Sequence, residues 1–299
     1  MAEAHKTLPE LLDSSFVVVD KPRGPSSHEV SSLVKNILGI GKSGHSGTLD
    51  PNVSGVLPVA LGRATKLLAY LTTKDKKYVC LMKTGRKLTE RDINDLFSRF
   101  TGEITQTPPK QSAVAKRPRK RHVYYLLPLQ VRAAEVLFEV HCEAGTYVRV
   151  LVSEMGKHCN GAKMLELRRI QVGSISESSS HTLQEISDAI WKARELGDEA
   201  AIRGMLIGSD EALQLPKIIL RDSAIEAVCA GSALFAPGVH SLGAAFEKGR
   251  SVALYSRKGE LIGVGRAEAS SKEASAAKGG PVALPERIMM KRGTYPKGW

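Results

Sequence analysis

An α+β fold is the class predicted for this 299-residue chain, with a mainly antiparallel sheet in residues 1–213 and a small β-rich domain in residues 214–299. Three observations lead there. Strand-like and helix-like segments interleave without a strict strand–helix–strand rhythm. The runs "VYYLLPLQV" and "EVLFEVHC" stand a few residues apart, the spacing of an antiparallel hairpin. Near "GSDEALQLP", residues 208–216, the composition changes to short strand-like pieces broken by Gly, Pro and Ser.

In chain order, "FVVVD" (16–20) reads as a buried strand. "SSHEVSSLVKNIL" follows as an amphipathic helix, because Ser26 and Glu29 form a capping box ahead of Val30, Leu33, Val34, Ile37 and Leu38, and Gly39 ends it. "VLPVAL" is a strand, "RATKLLAYL" a short helix and "KYVCLM" (77–82) a further strand. Thr89 and Asp92 start a helix carrying Ile93, Leu96, Phe97 and Phe100, which Gly102 closes. After the hairpin, "TYVRVLVSEMGKHC" returns to helix, and Thr182 with Glu185 caps another through Leu196. Beyond the composition change, "KIILR", "SVALYS" and "LIGVGRAEA" are strands, and "SSKEASAAKGG" (270–280) is a weak helix at best.

With 42% hydrophobic and 25% charged residues, the chain can bury a sizeable core. It contains no apolar run of the roughly 18–20 residues a membrane span requires, and "MAEAHKTLPE" lacks the apolar centre of a signal peptide, so a cytoplasmic protein is expected. Cys80, Cys142, Cys159 and Cys229 are widely separated and make no CxxC, and the eight histidines have no ligand spacing. Buried thiols and no metal are predicted.

The net charge of +12 favours a polyanionic partner. Residues 214–299 carry 13 Lys+Arg against 7 Asp+Glu, or +6, and residues 1–213 carry 30 against 24, also +6, so the shorter segment is more than twice as positive per residue. The densest cluster is "KQSAVAKRPRKR" (110–121), six basic residues in twelve, followed by "HVYY". Such a run is often a solvated loop, but aromatic neighbours in a basic protein point to nucleic-acid backbone contact through Lys116, Arg117, Arg119 and Arg121.

In "GKSGHSGTLDPNVSGVLPVALG" (41–62) one aspartate, Asp50, stands among glycines. A phosphate loop is excluded, because Asn36 occupies the place of its first glycine and a helix precedes it where a strand is needed. A purely structural turn remains open, with Asp50 before Pro51 as turn former. Against it, four glycines, a proline and a histidine place one carboxylate in a loop between apolar elements, where catalytic groups sit.

"GHSGTLDPNVSGVL" resembles the signature of the TruB family of RNA pseudouridine synthases, G-H-x-G-T-L-D-P-x-x-x-G-V-L, at every fixed position. "KPRGPSSH" (21–28), "KYVCLM", "GTYVRVL" and "LELRR" follow in the family's order, so the likeness covers nearly the whole chain. "PPKQSAV", "VYY", "EAGTYVR" and "LPKIILRDSAIEAVCAGSALFAPGV" resemble the archaeal and eukaryotic branch, the dyskerin-like catalytic subunit of H/ACA ribonucleoproteins. The last of these also resembles the start of a PUA RNA-binding domain, and "YPKGW" that branch's C-terminal tail.

The resemblance implies a pseudouridine synthase catalytic domain in 1–213 and a PUA domain in 214–299. It implies uridine isomerisation without a cofactor, RNA partners (an H/ACA guide, with rRNA or tRNA as substrate) and small H/ACA partner proteins. By residue, it implies Asp50 as nucleophile, Arg149 as its ion-pair partner and Tyr78 as the aromatic packed on the target base. It gives His45 the gap left by the flipped uridine, makes Leu167 an apolar wall of the base pocket and sets Lys21 with Pro22 beneath the catalytic loop. It makes 116–121 a thumb that closes on RNA. Taken singly, Arg149 reads more often as a surface helix cation, Tyr78 and Leu167 as core residues and Lys21 as a solvated strand end. Departures are "VGSISES" where the family often has a "GPF" turn, "SEMG" for an "HDIG"-like stretch, and about fifteen residues before the first strand where the archaeal branch has more. A guided enzyme, a stand-alone enzyme for the tRNA T-loop and a catalytically silent guide-RNA scaffold stay open, with intact Asp50, Tyr78 and Arg149 favouring an enzyme.

Overall fold

The computed structural model describes residues 6–109 and 115–296, so "KQSAV" (110–114) and the end of "YPKGW" lie outside the described residues. Chain order begins with a short helix, α1 (Leu8–Leu12), and strand β1 (Phe16–Lys21), of which Phe16 to Val19 are fully buried. Helix α2 (Ser27–Leu38) starts at the Ser26–Glu29 capping box and stops at Gly39, whose φ of +62° a side chain would oppose. Strands β2 (Ser43–His45) and β3 (Ser54–Leu61) enclose the Asp50 loop. The segment expected as one short helix is a 3-10 turn, Gly62–Leu67, that passes into α3 (Leu68–Thr72).

Next come β4 (Lys76–Thr84), α4 (Glu90–Phe100) behind its Thr89–Asp92 box, and β5 (Gly102–Gln106). Strand β6 (Arg119–Arg132) and β7 (Glu135–Cys142) form the expected hairpin. The basic run is therefore not all loop: Arg119, Lys120 and Arg121 pair with Gln106, Thr105 and Ile104 of β5, which extends the sheet. After α5 (Val148–Gly156) the chain makes β8 (Ala162–Val172) and β9 (Ile175–Ser176). The sequence reading gave "AKMLELRRIQV" no strand because its charges hide the alternation, yet β8 joins the halves of the sheet, parallel to β3 and antiparallel to β4. Helices α6 (Leu183–Glu195) and α7 (Ala200–Met205), strand β10 (Leu206–Ile207) and α8 (Ser209–Leu213) complete this part.

The strand order is β10-β1-β3-β8-β4-β7-β6-β5, with β2 added to β3 and β9 to β8. Around β1 and β3 one face packs under α2 and α6, and the other under the 3-10 turn, α3 and α8. Tyr78, Cys80 and Met82 of β4 share a core with Phe97 of α4, Leu151 of α5, and Leu49 and Val53 of the Asp50 loop. That shared core holds the loop against rigid strands.

The remaining elements are β11 (Lys217–Leu220), α9 (Asp222–Cys229), β12 (Leu234–Phe235), β13 (Val239–Leu242), β14 (Ser251–Tyr255), β15 (Leu261–Ala267), α10 (Ser271–Ala276) and β16 (Pro281–Ile288). They form a second sheet, ordered β12-β16-β15-β14-β11-β13, in which β11 and β14 run parallel. Helix α9, over "DSAIEAVC", was not anticipated; it buries Ile225, Val228 and Cys229 against this sheet. Val264 and Met289 join the core that holds Ala64 and Leu67, and Arg63 donates to Met289 O at 2.9 Å and Lys66 to Ile288 O at 2.8 Å. Apolar contact and hydrogen bonds together dock the second sheet on the first part.

Candidate active site

Asp50 sits on a loop whose backbone is fixed from four directions. Ser27, buried at the first position of α2, accepts from Leu49 N at 2.8 Å and donates to Leu49 O at 3.0 Å. Gly24 N donates to Pro51 O, Val53 N to Asp50 O and Ser46 N to Pro58 O, at 2.9–3.0 Å. Lys21 donates to the carbonyls of Pro22, Pro51 and Val53 at 2.9, 3.1 and 2.8 Å. Below the loop, the Nη1 of Arg169 lies 3.2 Å from where a Cβ on Gly47 (φ +68°) would stand. A loop tied this way holds its carboxylate without a conformational search, which is what oriented catalysis requires.

Lys21, set with Pro22 beneath the catalytic loop by the family resemblance, lies under that loop. Its side chain is fully buried and its protons go to backbone carbonyls, so it is a strut under the loop. Burial pushes its ammonium below the ordinary lysine range, and the charge of Asp50 opposes that shift.

The Asp50 carboxylate is half exposed, and its Oδ2 lies 3.0 Å from Nη2 of Arg149, the second residue of α5. Gln106 places that helix: its side chain, buried at the end of β5, donates to Tyr147 O at 3.2 Å and accepts from Tyr147 N at 3.0 Å. Tyr78 and Leu167 point to the same face from adjacent strands, each 9% exposed, within the core that contains Leu49 and Val53. They present an apolar wall beside the loop, of a kind suited to a planar base.

Arg169 received no role in the sequence reading beyond ending "LELRR". It is among the largest fully buried side chains; Nε donates to Val56 O at 2.8 Å, Nη2 has no partner among the described residues, and the guanidinium lies beside the Tyr78 hydroxyl. Burial pushes the Tyr78 phenol up and Arg169 opposes it; burial pushes Arg169 down and Tyr78 opposes that. The signal available in the sequence was the two-residue step from Leu167, which sets Arg169 on the same face of a strand. Lys76, also missed, is buried on the same face of β4 as Tyr78, with its amine pushed down to about 8 by burial and by Arg169.

His45, at the end of β2, is half-buried, with Nε2 3.4 Å from Thr48 Oγ1. Burial, then His28 and Arg169, lower its pKa, so its ring is kept neutral and suited to stacking. Among the expected RNA contacts, Lys116 and Arg117 are exposed and Arg119 half-buried, none with an ion pair among the described residues. Arg121 lies 3.8 Å from Glu143 and packs against Gly145, just beyond the end of β7. The described residues contain no group of three or more His, Cys, Asp or Glu able to hold a metal, and no helix long and apolar enough to cross a membrane.

Three family descriptions match consecutive stretches: the N-terminal domain of TruB family pseudouridylate synthase over 35–148, the tRNA pseudouridylate synthase B C-terminal domain over 149–214, and the PUA domain over 216–289. The chain is 46% identical over 292 residues to a protein of Methanosarcina barkeri named probable tRNA pseudouridine synthase B, covering 97% of this chain and 86% of that one. A protein of the same name from Pyrobaculum arsenaticum is 43% identical over 298 residues, covering 99% and 90%. Among solved structures, an H/ACA RNP bound to a substrate RNA containing 2'-deoxyuridine superposes with TM-score 0.92 at 37% identity, over 100% of this chain and 92% of that one. A Cbf5–Nop10–Gar1 complex superposes with TM-score 0.91 at 39% identity, over 98% and 90%.

Proposed function

The chain belongs to the TruB family and is a pseudouridine synthase; we propose that Asp50 is its nucleophile, Arg149 the cation that orients it, and Tyr78 with Leu167 the surface that receives the uracil ring. The ion pair between Asp50 and Arg149 carries this reading, since it holds a half-exposed carboxylate on a loop that packs into the core of Tyr78 and Leu167. Isomerisation breaks the N1–C1′ bond, forms a C5–C1′ bond and moves the C5 proton away while N1 gains one. It needs no oxidant and no external energy. A carboxylate attacking C1′ or C6 splits this into two easier steps. The neutral, buried Tyr78 packs on the base, and Arg169 beside its hydroxyl offsets part of the cost of a proton passing through that oxygen. A uridine reaches Asp50 after leaving its stack, and in this reading His45, whose ring burial keeps neutral, fills the gap.

The guided mode is supported by the full-length likeness to proteins in H/ACA complexes and by the basic C-terminal segment, which as a PUA domain over 214–299 takes the guide RNA, with small partner proteins of the Nop10 and Gar1 kind. The relatives' names favour a second mode, action on tRNA without a guide. A cytoplasmic location accords with either. In RNA tritiated at uridine C5, turnover releases the label. Asp50→Asn abolishes that release while RNA affinity stays within several-fold, because a carboxamide matches the shape but is no nucleophile. Release within tenfold of wild type removes Asp50 from the mechanism. The same assay on a T-loop RNA, with and without guide and partners, separates the two modes.

A further inference from the structure

A second aromatic surface lies away from the pocket, on the β6–β7 hairpin. Val123 pairs with Cys142 and Tyr125 with His141, so Tyr124 is the extra residue of a β-bulge and two tyrosines oppose one histidine. The Tyr124 ring lies 4.6 Å from His141 and 5.0 Å from His122, centroid to centroid, and Tyr125 is 5.3 Å from His141. The backing rings are anchored: His141 Nε2 bonds to Asp75, Tyr125 to Glu139, and Lys77 Nζ sits 5.8 Å from the Tyr125 centroid. Tyr124 itself keeps 46% of its surface exposed. Lys77 and Tyr78 alternate along β4, so this cluster and the Tyr78 pocket use opposite faces of the sheet.

Ring packing at a sheet surface normally covers the rings. Here the bulge turns one ring outward onto a fixed backing, and the strand that carries it begins in the basic run. Lys116 and Arg117 are exposed in the chain just before the strand, whereas Arg119, paired with Gln106, alternates with His122 onto the Tyr78 side of the sheet. In a chain of net charge +12, cations leading towards an open aromatic ring on an anchored backing match the chemistry of single-stranded RNA, whose phosphates and unstacked bases need those two groups.

We propose that Tyr124, backed by His141 and flanked by His122, stacks an unpaired base of the RNA that carries the target uridine, outside the catalytic pocket, while Lys116 and Arg117, ahead of the strand, take phosphates further along the same RNA. The site deepens the RNA-modifying reading, on which it rests for the identity of the polymer. It adds affinity and contributes nothing to bond making.

The test uses the full-length protein with Asp50→Asn as background, so binding is read without turnover and stands whether or not Asp50 is the nucleophile. The probes are T-loop hairpin RNAs with single 2-aminopurine substitutions at unpaired positions, and a blunt RNA duplex as control. Tyr124→Leu is expected to weaken hairpin binding about 5- to 50-fold and abolish 2-aminopurine quenching at one position, with duplex binding unchanged. Tyr124→Trp is expected to retain both signals. Wild-type hairpin affinity in Tyr124→Leu overturns the proposal, as does equal loss in Tyr124→Trp or on the duplex. Unchanged RNA binding with lost binding of a Gar1-like partner protein overturns it too, and reassigns the surface to protein contact.

Discussion

Lys21→Met removes an ammonium that donates to the carbonyls of Pro22, Pro51 and Val53 and leaves an unbranched side chain of similar length in the same space. Hydrogen bonds to a charged group contribute about 1.5–3 kcal/mol each, so three of them amount to roughly 4–9 kcal/mol before any offset. Releasing a fully buried cation from its desolvation penalty returns several kcal/mol. The net destabilisation is about 2–4 kcal/mol, a fall in Tm of about 5–10 °C. Pro51 and Val53 flank the Asp50 turn, so loosening them displaces the carboxylate; a misplacement on the order of 1 Å costs about 100-fold in kcat. RNA affinity should stay within threefold, because Lys21 faces backbone and not solvent. Calorimetric melting, RNA titration and single-turnover tritium release read the three quantities. An unchanged Tm with RNA affinity weakened tenfold would refute the strut and restore Lys21 as a substrate contact.

Two further predictions concern the ground beneath the site. Lys76 holds its proton up to about pH 8 when folded and up to about 10.5 when unfolded, so between those values the unfolded chain binds the extra proton and stability rises with pH. Against Lys76→Met, wild type should gain roughly 1–2 kcal/mol between pH 8 and 9.5 in denaturant titrations; a constant difference would mean the amine is not desolvated. Gly55 has φ +105°, and a Cβ there would lie 2.1 Å from Arg169 O, whereas Gly102, at φ +95°, has nothing within 4 Å. Gly102→Ala should therefore cost about 1–2 kcal/mol of backbone strain and Gly55→Ala at least about 3 kcal/mol, with pseudouridine formation lost as β3 and β8 separate; equal costs would show that strand contact plays no part.

Features that close within a few residues were legible in the amino-acid sequence. Ser26 with Glu29, Thr89 with Asp92 and Thr182 with Glu185 set helix starts because one turn brings each pair together, and each box is formed. The hairpin and the Asp50 motif were legible for the same reason, their information being contiguous. Strand β8 was not, because Glu166, Arg168 and Arg169 break its apolar pattern; Arg168 is accommodated by Asp20 at 2.8 Å and Glu177 at 3.0 Å, both supplied from outside the strand. Tertiary structure alone decided that Lys21 turns inward to Val53, 32 residues on, that Arg169 is buried against Val56, 113 residues away, and that a bulge turns Tyr124 outward. A buried cation is tolerable where distant backbone carbonyls converge on it, and that convergence is a property of the packed sheet, absent from any local pattern of residues.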